Sequence, residues 1–216
     1  MRKLTYFVGT TIDGFIAAPD GDFDFFAPCL TGDYLPQLAA EYPETLPTMG
    51  RAAFGVADAP NSRFDTVLMG RGTYGPGLAV GLDNPYAHLR QVVFSRSLTA
   101  GQDQAVEITA EDPAVVVRKL KQEDGLGIWL CGGADLAGQL LPEIDELIIK
   151  QYPIVVRRHP AVPRRLLAAR LPAHGQPRRR ERQPHHDLRE GRRSVSRSGR
   201  SARVRRILLD GPARTG

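Results

Sequence analysis

Ile128-Trp129-Leu130-Cys131-Gly132-Gly133-Ala134-Asp135-Leu136 is the stretch on which the fold turns. Ile128 to Cys131 reads as a buried strand, because no charge or turn residue interrupts it, and it runs straight into a glycine pair. A helix is predicted from Ala134 to Leu141, stopped by Pro142. Strand, glycine turn and helix in that order are the unit from which α/β sheets are built.

The same unit recurs on either side. Leu4 to Val8 is an apolar, β-branched run that opens into Gly9-Thr10-Thr11-Ile12-Asp13-Gly14. Phe64 to Met69 is a second strand, followed by a turn at Gly70-Arg71-Gly72-Thr73-Tyr74, and Gln91 to Phe94 is a third, ending at Ser95-Arg96-Ser97. Asp112-Pro113 supplies an N-cap with proline in the first helical position; the helix continues through Val115 to Lys121 and closes at Asp124-Gly125. Leu147 to Ile149 is one more strand, with an exit at Pro153-Ile154-Val155-Val156. Residues 17–63 are rich in Pro, Gly and Asp and show one helix, near Leu35 to Tyr42. Continuous apolar strands alternating with helices predict a mostly parallel α/β sheet flanked by helices.

Charge divides the chain. Residues 1–156 hold 11 Lys and Arg against 20 Asp and Glu, a net of −9, whereas residues 157–216 hold 18 against 4, a net of +14, and every one of those cations is Arg. Four of the five histidines also fall after residue 156. The expected division is therefore a folded domain over 1–156 and a disordered Arg- and Pro-rich tail over 157–216. The apolar run at the start is too short for a secretory signal and no later stretch approaches a membrane span, so a cytoplasmic location without membrane attachment is expected. Cys29 and Cys131 form neither a disulfide framework nor a zinc set, and no metal is expected. With no Ser/His/Asp arrangement, metal cluster or Walker loop in the sequence, hydrolase, metalloenzyme and nucleotide triphosphatase readings are disfavoured.

In a parallel sheet, ligands bind beyond the carboxyl ends of the strands, where the small-residue and arginine loops fall. Gly132-Gly133 before a helix lets a backbone approach a pyrophosphate closely. Arg71 and Arg96 each follow a buried strand, and guanidinium groups there suit a phosphate. Their neighbours Thr73 and Ser95 add hydroxyls, which points to the 2′-phosphate of NADPH rather than NADH. Asp13 sits in the first glycine loop, where a carboxylate can orient a substrate or relay a proton, or serve only as a turn residue beside Gly14. Trp129 and Tyr6 read as core.

In order along the chain, Thr11-Ile12-Asp13-Gly14-Phe15-Ile16-Ala17, Asp65 to Tyr74, Val93-Phe94-Ser95-Arg96-Ser97-Leu98, Ile128 to Leu136 and Ile144-Asp145-Glu146-Leu147 resemble the dihydrofolate reductase superfamily. Within it they are similar to the C-terminal reductase domain of the bifunctional riboflavin-biosynthesis deaminase/reductase. The resemblance implies a dihydrofolate reductase-like fold and NADPH. Gly70, Arg71, Thr73, Ser95 and Arg96 would surround the adenosine phosphates. Gly132, Gly133, Ala134, Asp135 and Leu136 would hold the pyrophosphate, and the first loop, with Thr10 and Ile12, would cover the nicotinamide, leaving Asp13 as the catalytic candidate. It also implies hydride transfer to a C=N or C=O group of a small heterocycle or ribosylaminopyrimidine, as in a 5-amino-6-(5-phosphoribosylamino)uracil reductase. Related reductases are often dimers. Residues 33–54 match the family poorly and supply no counterpart to its proton donor, and Gly75-Pro76-Gly77 is expected to interrupt the helix that the family starts after Tyr74.

After Val156 the resemblance stops where the family has Gly-Ile-Pro-Leu-Phe. Arg158 to Pro163 can be encoded CGG CAT CCC GCT GTT CCN, and dropping one base gives codons for that motif. The same shift permits Thr-Asp-Ser-Arg across His174 to Arg178 and Asn-Gly-Asn-His-Thr-Thr-Thr-Tyr across Glu181 to Arg189. A frameshift near codon 157 is the resulting hypothesis, with the closing strands of the sheet missing. Stop codons in the shifted frame of the coding DNA before the Tyr match would refute it. The competing readings are an Arg-rich tail that holds nucleic acid through its charge, and a nucleotide-binding head without turnover.

Overall fold

The computed structural model describes residues 1–18, 20–30, 32, 34–98, 103–157, 167–170 and 203–208. In chain order the elements are β1 (Leu4–Thr10), α1 (Tyr34–Glu41), α2 (Thr48–Arg51), β2 (Phe64–Gly70), α3 (Arg71–Ala79), β3 (Arg90–Phe94), β4 (Val106–Thr109), α4 (Pro113–Gln122), β5 (Gly127–Gly132), α5 (Ala134–Gln139), β6 (Glu146–Gln151), β7 (Ile154–Arg157), β8 (Leu167–Arg170) and β9 (Arg203–Leu208). Seven strands form one sheet in the order β4-β3-β2-β5-β1-β6-β9, and every pairing in it is parallel. The expected α/β architecture is therefore present.

The apolar runs are continuous because both faces of the sheet are covered. On one face Leu4, Leu68, Val92, Ile128 and Leu130 pack against Val116, Val117 and Leu120 of α4 and against Leu136 and Ala137 of α5. On the other, Phe7, Val67, Met69, Val93, Trp129 and Ile148 pack with Tyr74 of α3 and with Tyr42, just beyond α1. Trp129 is 3% exposed and donates its indole N–H to the Phe7 carbonyl at 3.2 Å, in keeping with a core role.

Two local expectations are corrected. Arg71 opens a helix directly rather than a turn, and α3 runs through Gly75-Pro76-Gly77 instead of stopping there. Tyr74 explains why: it is 1% exposed, and its hydroxyl donates to the Asp83 carbonyl at 2.5 Å, so tertiary packing outweighs the one hydrogen bond that proline removes. The short strand β4 has no counterpart in the sequence reading. It pairs with β3 from Gln91↔Val106 to Phe94↔Thr109.

Of residues 157–216, where disorder and a missing sheet closure are expected, the structure describes 157, 167–170 and 203–208. β8 pairs antiparallel with β7, and β9 lies parallel to β6 over the six pairs from Glu146↔Arg203 to Gln151↔Leu208. The β6 edge is therefore paired. A strand edge offers only backbone N–H and C=O groups, so an extended segment can pair with it whatever its side chains. The rest of the expected tail lies outside the described residues. Among those described, no helix is long and apolar enough to cross a membrane.

Buried charge locks the sheet to α4. Lys121 has a side chain only 3% exposed; it pairs with Asp145 at 2.6 Å and donates to the Glu143 carbonyl at 2.6 Å. Asp145 also accepts the Leu4 backbone N–H at 2.9 Å, so a single carboxylate joins the starts of β1 and β6 to the last turn of α4. Replacing Lys121 with Met leaves that carboxylate without its cation, and we expect a loss of about 3 kcal/mol in urea unfolding.

Candidate functional site

Because the strands run parallel, their carboxyl ends lie along one edge. There the sheet order places, side by side, the loop after β3 (Ser95 to Ser97), the start of α3 (Arg71 to Thr73), the Gly132-Gly133 turn after β5 and the loop after β1 (Thr11 to Phe15). β2 and β5 are neighbours, yet α3 leaves β2 toward one face and α5 leaves β5 toward the other. A crevice opens where adjacent connections part in this way, and ligands of α/β sheets bind there.

Glycine lines that crevice where the backbones of two loops approach each other. A Cβ at Gly70 would lie 3.5 Å from the Gly133 nitrogen, 3.6 Å from the Gly132 oxygen and 3.7 Å from the Leu136 Cβ. Gly132 has φ +147°, a conformation that strains any L side chain, and a Cβ there would stand 3.3 Å from the Thr73 hydroxyl. The Gly132–Gly133 peptide bond is cis. Gly70 and Gly133 are the N-caps of α3 and α5, and neither helix start has a side-chain cap, so their first amides are not taken up by capping side chains.

Of the residues expected to hold a cofactor, Gly70, Thr73, Gly132, Gly133 and Leu136 are brought into contact around this crevice. Ala134 and Asp135 begin α5 and are exposed. Arg71 and Arg96 are exposed and form no ion pair among the described residues. Ser95 is 7% exposed, and its hydroxyl accepts the backbone N–H groups of Ser97 at 3.2 Å and Leu98 at 3.0 Å, so its first task is to shape the loop that carries Arg96.

The first loop is a closed turn. Thr11 N–H donates to the Phe15 carbonyl at 2.9 Å, the Phe15 N–H donates to the Thr11 hydroxyl oxygen at 2.9 Å, and Gly14 takes φ +86°. It is pinned to β7 by the Ile12 N–H on the Ile154 carbonyl at 2.9 Å and by the Val156 N–H on both Asp13 carboxylate oxygens at 3.2 Å. Desolvation acts to raise the Asp13 carboxyl, but hydrogen bonds from Thr11 and from the Val156 backbone outweigh it, leaving the group below the usual carboxylate range. Asp13 thus latches the loop as an anion. Thr10, the last residue of β1, accepts the Tyr152 N–H at 2.8 Å, and Ile12 and Phe15 turn apolar side chains outward.

Sequence reading misses a second group of polar residues at the same edge. Lys150 of β6 sets its Nζ 4.4 Å from the centroid of the Phe7 ring. Cys131 of β5 packs against the same aromatic cluster, and Tyr86 meets Trp129 edge-on at 5.0 Å. Desolvation lowers the Lys150 ammonium to about 8, opposed by Cys131, and pushes the Cys131 thiol up to about 11. They come from separate elements with no shared motif; the one local signal is a lysine inside an otherwise apolar strand.

Fold and site together define a parallel α/β protein with a glycine-lined crevice at the carboxyl edge of its sheet. Residues 2–162 match the model of the RibD C-terminal domain, and the chain belongs to that family, a reductase family of the riboflavin pathway. It is similar to the uncharacterized protein YwjB of Bacillus subtilis (strain 168), with 31% identity over 157 residues, 72% of this chain and 79% of that one. Among solved structures, a "Putative riboflavin biosynthesis protein" from Shewanella sp. PV-4 is similar at 23% identity with a TM-score of 0.48, over 72% of this chain and 78% of that one.

Two outcomes test the geometry. Gly132→Ala should cost about 1–3 kcal/mol in urea unfolding, because alanine is forced to a positive φ against Thr73. Asp13→Asn should be less stable than the parent at neutral pH by under about 1 kcal/mol, the latch being exposed. A carboxyl with a depressed folded pKa stabilises above its unfolded pKa and loses that contribution as pH falls through the folded value, so the two proteins should converge in strong acid.

Proposed function

We propose that this chain is an NADPH-dependent reductase that delivers a hydride to a C=N or C=O group of a small heterocycle, with ribosylaminopyrimidines such as 5-amino-6-(5-phosphoribosylamino)uracil as the substrate class. The observation that carries the reading is the approach of Gly70 to Gly132-Gly133 beside two arginines without ion-pair partners among the described residues. A Cβ at Gly70 would only touch Gly132-Gly133, but the positive φ of Gly132 strains any side chain, so bare backbone faces the crevice there, the surface expected to meet a pyrophosphate.

When bound, the nicotinamide supplies the hydride. Gly70, Thr73, Gly132 and Gly133 would hold the pyrophosphate through close backbone approach. Arg71 and Arg96 would take the 2′-phosphate of the adenosine, a task suited to forked cationic donors. The first loop, held by Asp13, would present the outward faces of Ile12 and Phe15 to the nicotinamide and exclude water there. Membership in the RibD C-terminal domain family supports both the reaction class and the substrate class. For residues 157–216 we propose an out-of-frame origin, with β8 and β9 as segments that pair with strands already in place; the coding DNA tests it.

Trp129 is the only tryptophan and stands three residues before Gly132. Its fluorescence should fall saturably on titration with NADPH and less readily with NADH. The double variant Arg71→Ala, Arg96→Ala should lose at least about tenfold in NADPH affinity while NADH binding stays unchanged. Equal binding of both cofactors by the parent would remove the 2′-phosphate assignment, and no response to either would remove the reductase reading.

A further inference from the structure

The proposed reaction needs a proton as well as a hydride, and Asp13 is engaged as an ionised latch. The face of β1, β5 and β6 toward the carboxyl edge offers another source. Phe7 of β1, Trp129 of β5 and Ile148 of β6 lie on one face and are 1%, 3% and 3% exposed. The next residues on that face toward the carboxyl edge, Gly9, Cys131 and Lys150, are each only half-buried. Burial lessens toward that edge on three adjacent strands, above the Phe7, Trp129 and Ile148 side chains, while over Gly9 itself stands the Tyr152 ring, 2.8 Å from where a Cβ would lie.

That half-buried level is polar. Lys150 stands in register with Gly9, and its Nζ sits over the Phe7 ring. The β2–β5 ladder steps from Leu68↔Leu130 to Met69↔Gly132, so Cys131 is the residue passed over, and such irregularities re-aim side chains. The buried Lys121 has Asp145; the half-buried Lys150 has no carboxylate partner among the described residues. Cation–π contact with Phe7 offsets only part of the cost of withdrawing an ammonium from water.

We propose that Lys150 is the proton donor of the reductase: its ammonium, half-buried over the Phe7 ring with no carboxylate partner among the described residues, protonates the substrate as the neighbouring carbon is reduced. The inference rests on the reductase reading above. Lys150 gives its proton to the nitrogen of a C=N bond, or the oxygen of a C=O bond. The carbon of that bond receives the hydride of a reduced nicotinamide, and the π pair becomes the new N–H or O–H bond. Lys150 is left as a neutral amine, which its apolar floor tolerates, and recovers a proton from water. The titratable groups that face it are Cys131 from β5, Tyr86 from the segment before β3, Tyr42 stacked on Phe7 at 4.7 Å with Arg63 over its ring, and Tyr152 just after β6. Burial raises Cys131, Tyr86 and Tyr152, so these stay neutral and are weaker acids than a lysine near 8.

The chain has only four lysines, so Cε-13C-lysine labelling of the full protein gives four NMR signals, with that of Lys150 assigned by its absence in Lys150→Arg. We expect the Lys150 signal to titrate near 8, and to shift when 5-amino-6-(5-phosphoribosylamino)uracil is added without cofactor. Titration near the ordinary lysine value, about 10.4, with no shift on adding the pyrimidine, would overturn the assignment. In NADPH-loaded single turnovers, Lys150→Met should slow hydride transfer by about 10²–10⁴-fold with NADPH affinity unchanged. The parent rate should fall about tenfold per pH unit above 8, and Lys150→Arg, too weak an acid, should stay slow without that limb. Unchanged rates and an unchanged pH profile in Lys150→Met also overturn it. Failure of the parent reading shows separately, as absence of the Trp129 response to NADPH.

Discussion

Parallel pairing of every strand in the seven-stranded sheet is the constraint on which the rest depends. Parallel strands need crossovers, the crossovers bury both faces, and all carboxyl ends then share one edge. Nothing else in the chain brings residues 10–16, 70–73, 95–97 and 131–134 together. The charged cluster of Lys121, Asp145 and the Leu4 amide secures the opposite ends of β1 and β6, so the carboxyl edge carries the loops and the amino edge carries the fastening.

Because that edge is made from the backbone, its glycines matter more than its side chains. Gly70 and Gly133 come close enough that a methyl group between them would be in contact with both loops. Arginines can then reach in from the surface without being part of the core. The division suits the proposed nucleotide, whose phosphates would be met by amides and guanidinium groups and whose ring would need an apolar wall.

Legibility in the sequence followed burial. β1, β2, β3, β5 and β6 announce themselves as apolar runs because both their faces are covered, and the Gly and Arg loops are visible because each follows such a run. β4 escapes notice, being four residues of mixed character at the sheet edge. β9 escapes because its six residues include three arginines, and a strand that pairs through its backbone at an edge needs no apolar pattern. Continuity of α3 through Gly75-Pro76-Gly77 is invisible locally, since only the burial of Tyr74 supplies it. The glycine crevice was legible from local order, whereas Lys150, Cys131 and Tyr86 meet only through strand order and register. Asp13 was visible as a loop carboxylate, but its engagement by Val156, 143 positions away, was not.

The pairing of β9 with β6 bears on how such a chain tolerates change in evolution. A sheet edge recognises direction and spacing of peptide groups, not identity of residues, so it can be closed by unrelated sequence. Heredity can therefore rewrite the edge while the glycine crevice, four strands away from it at β2, keeps its shape.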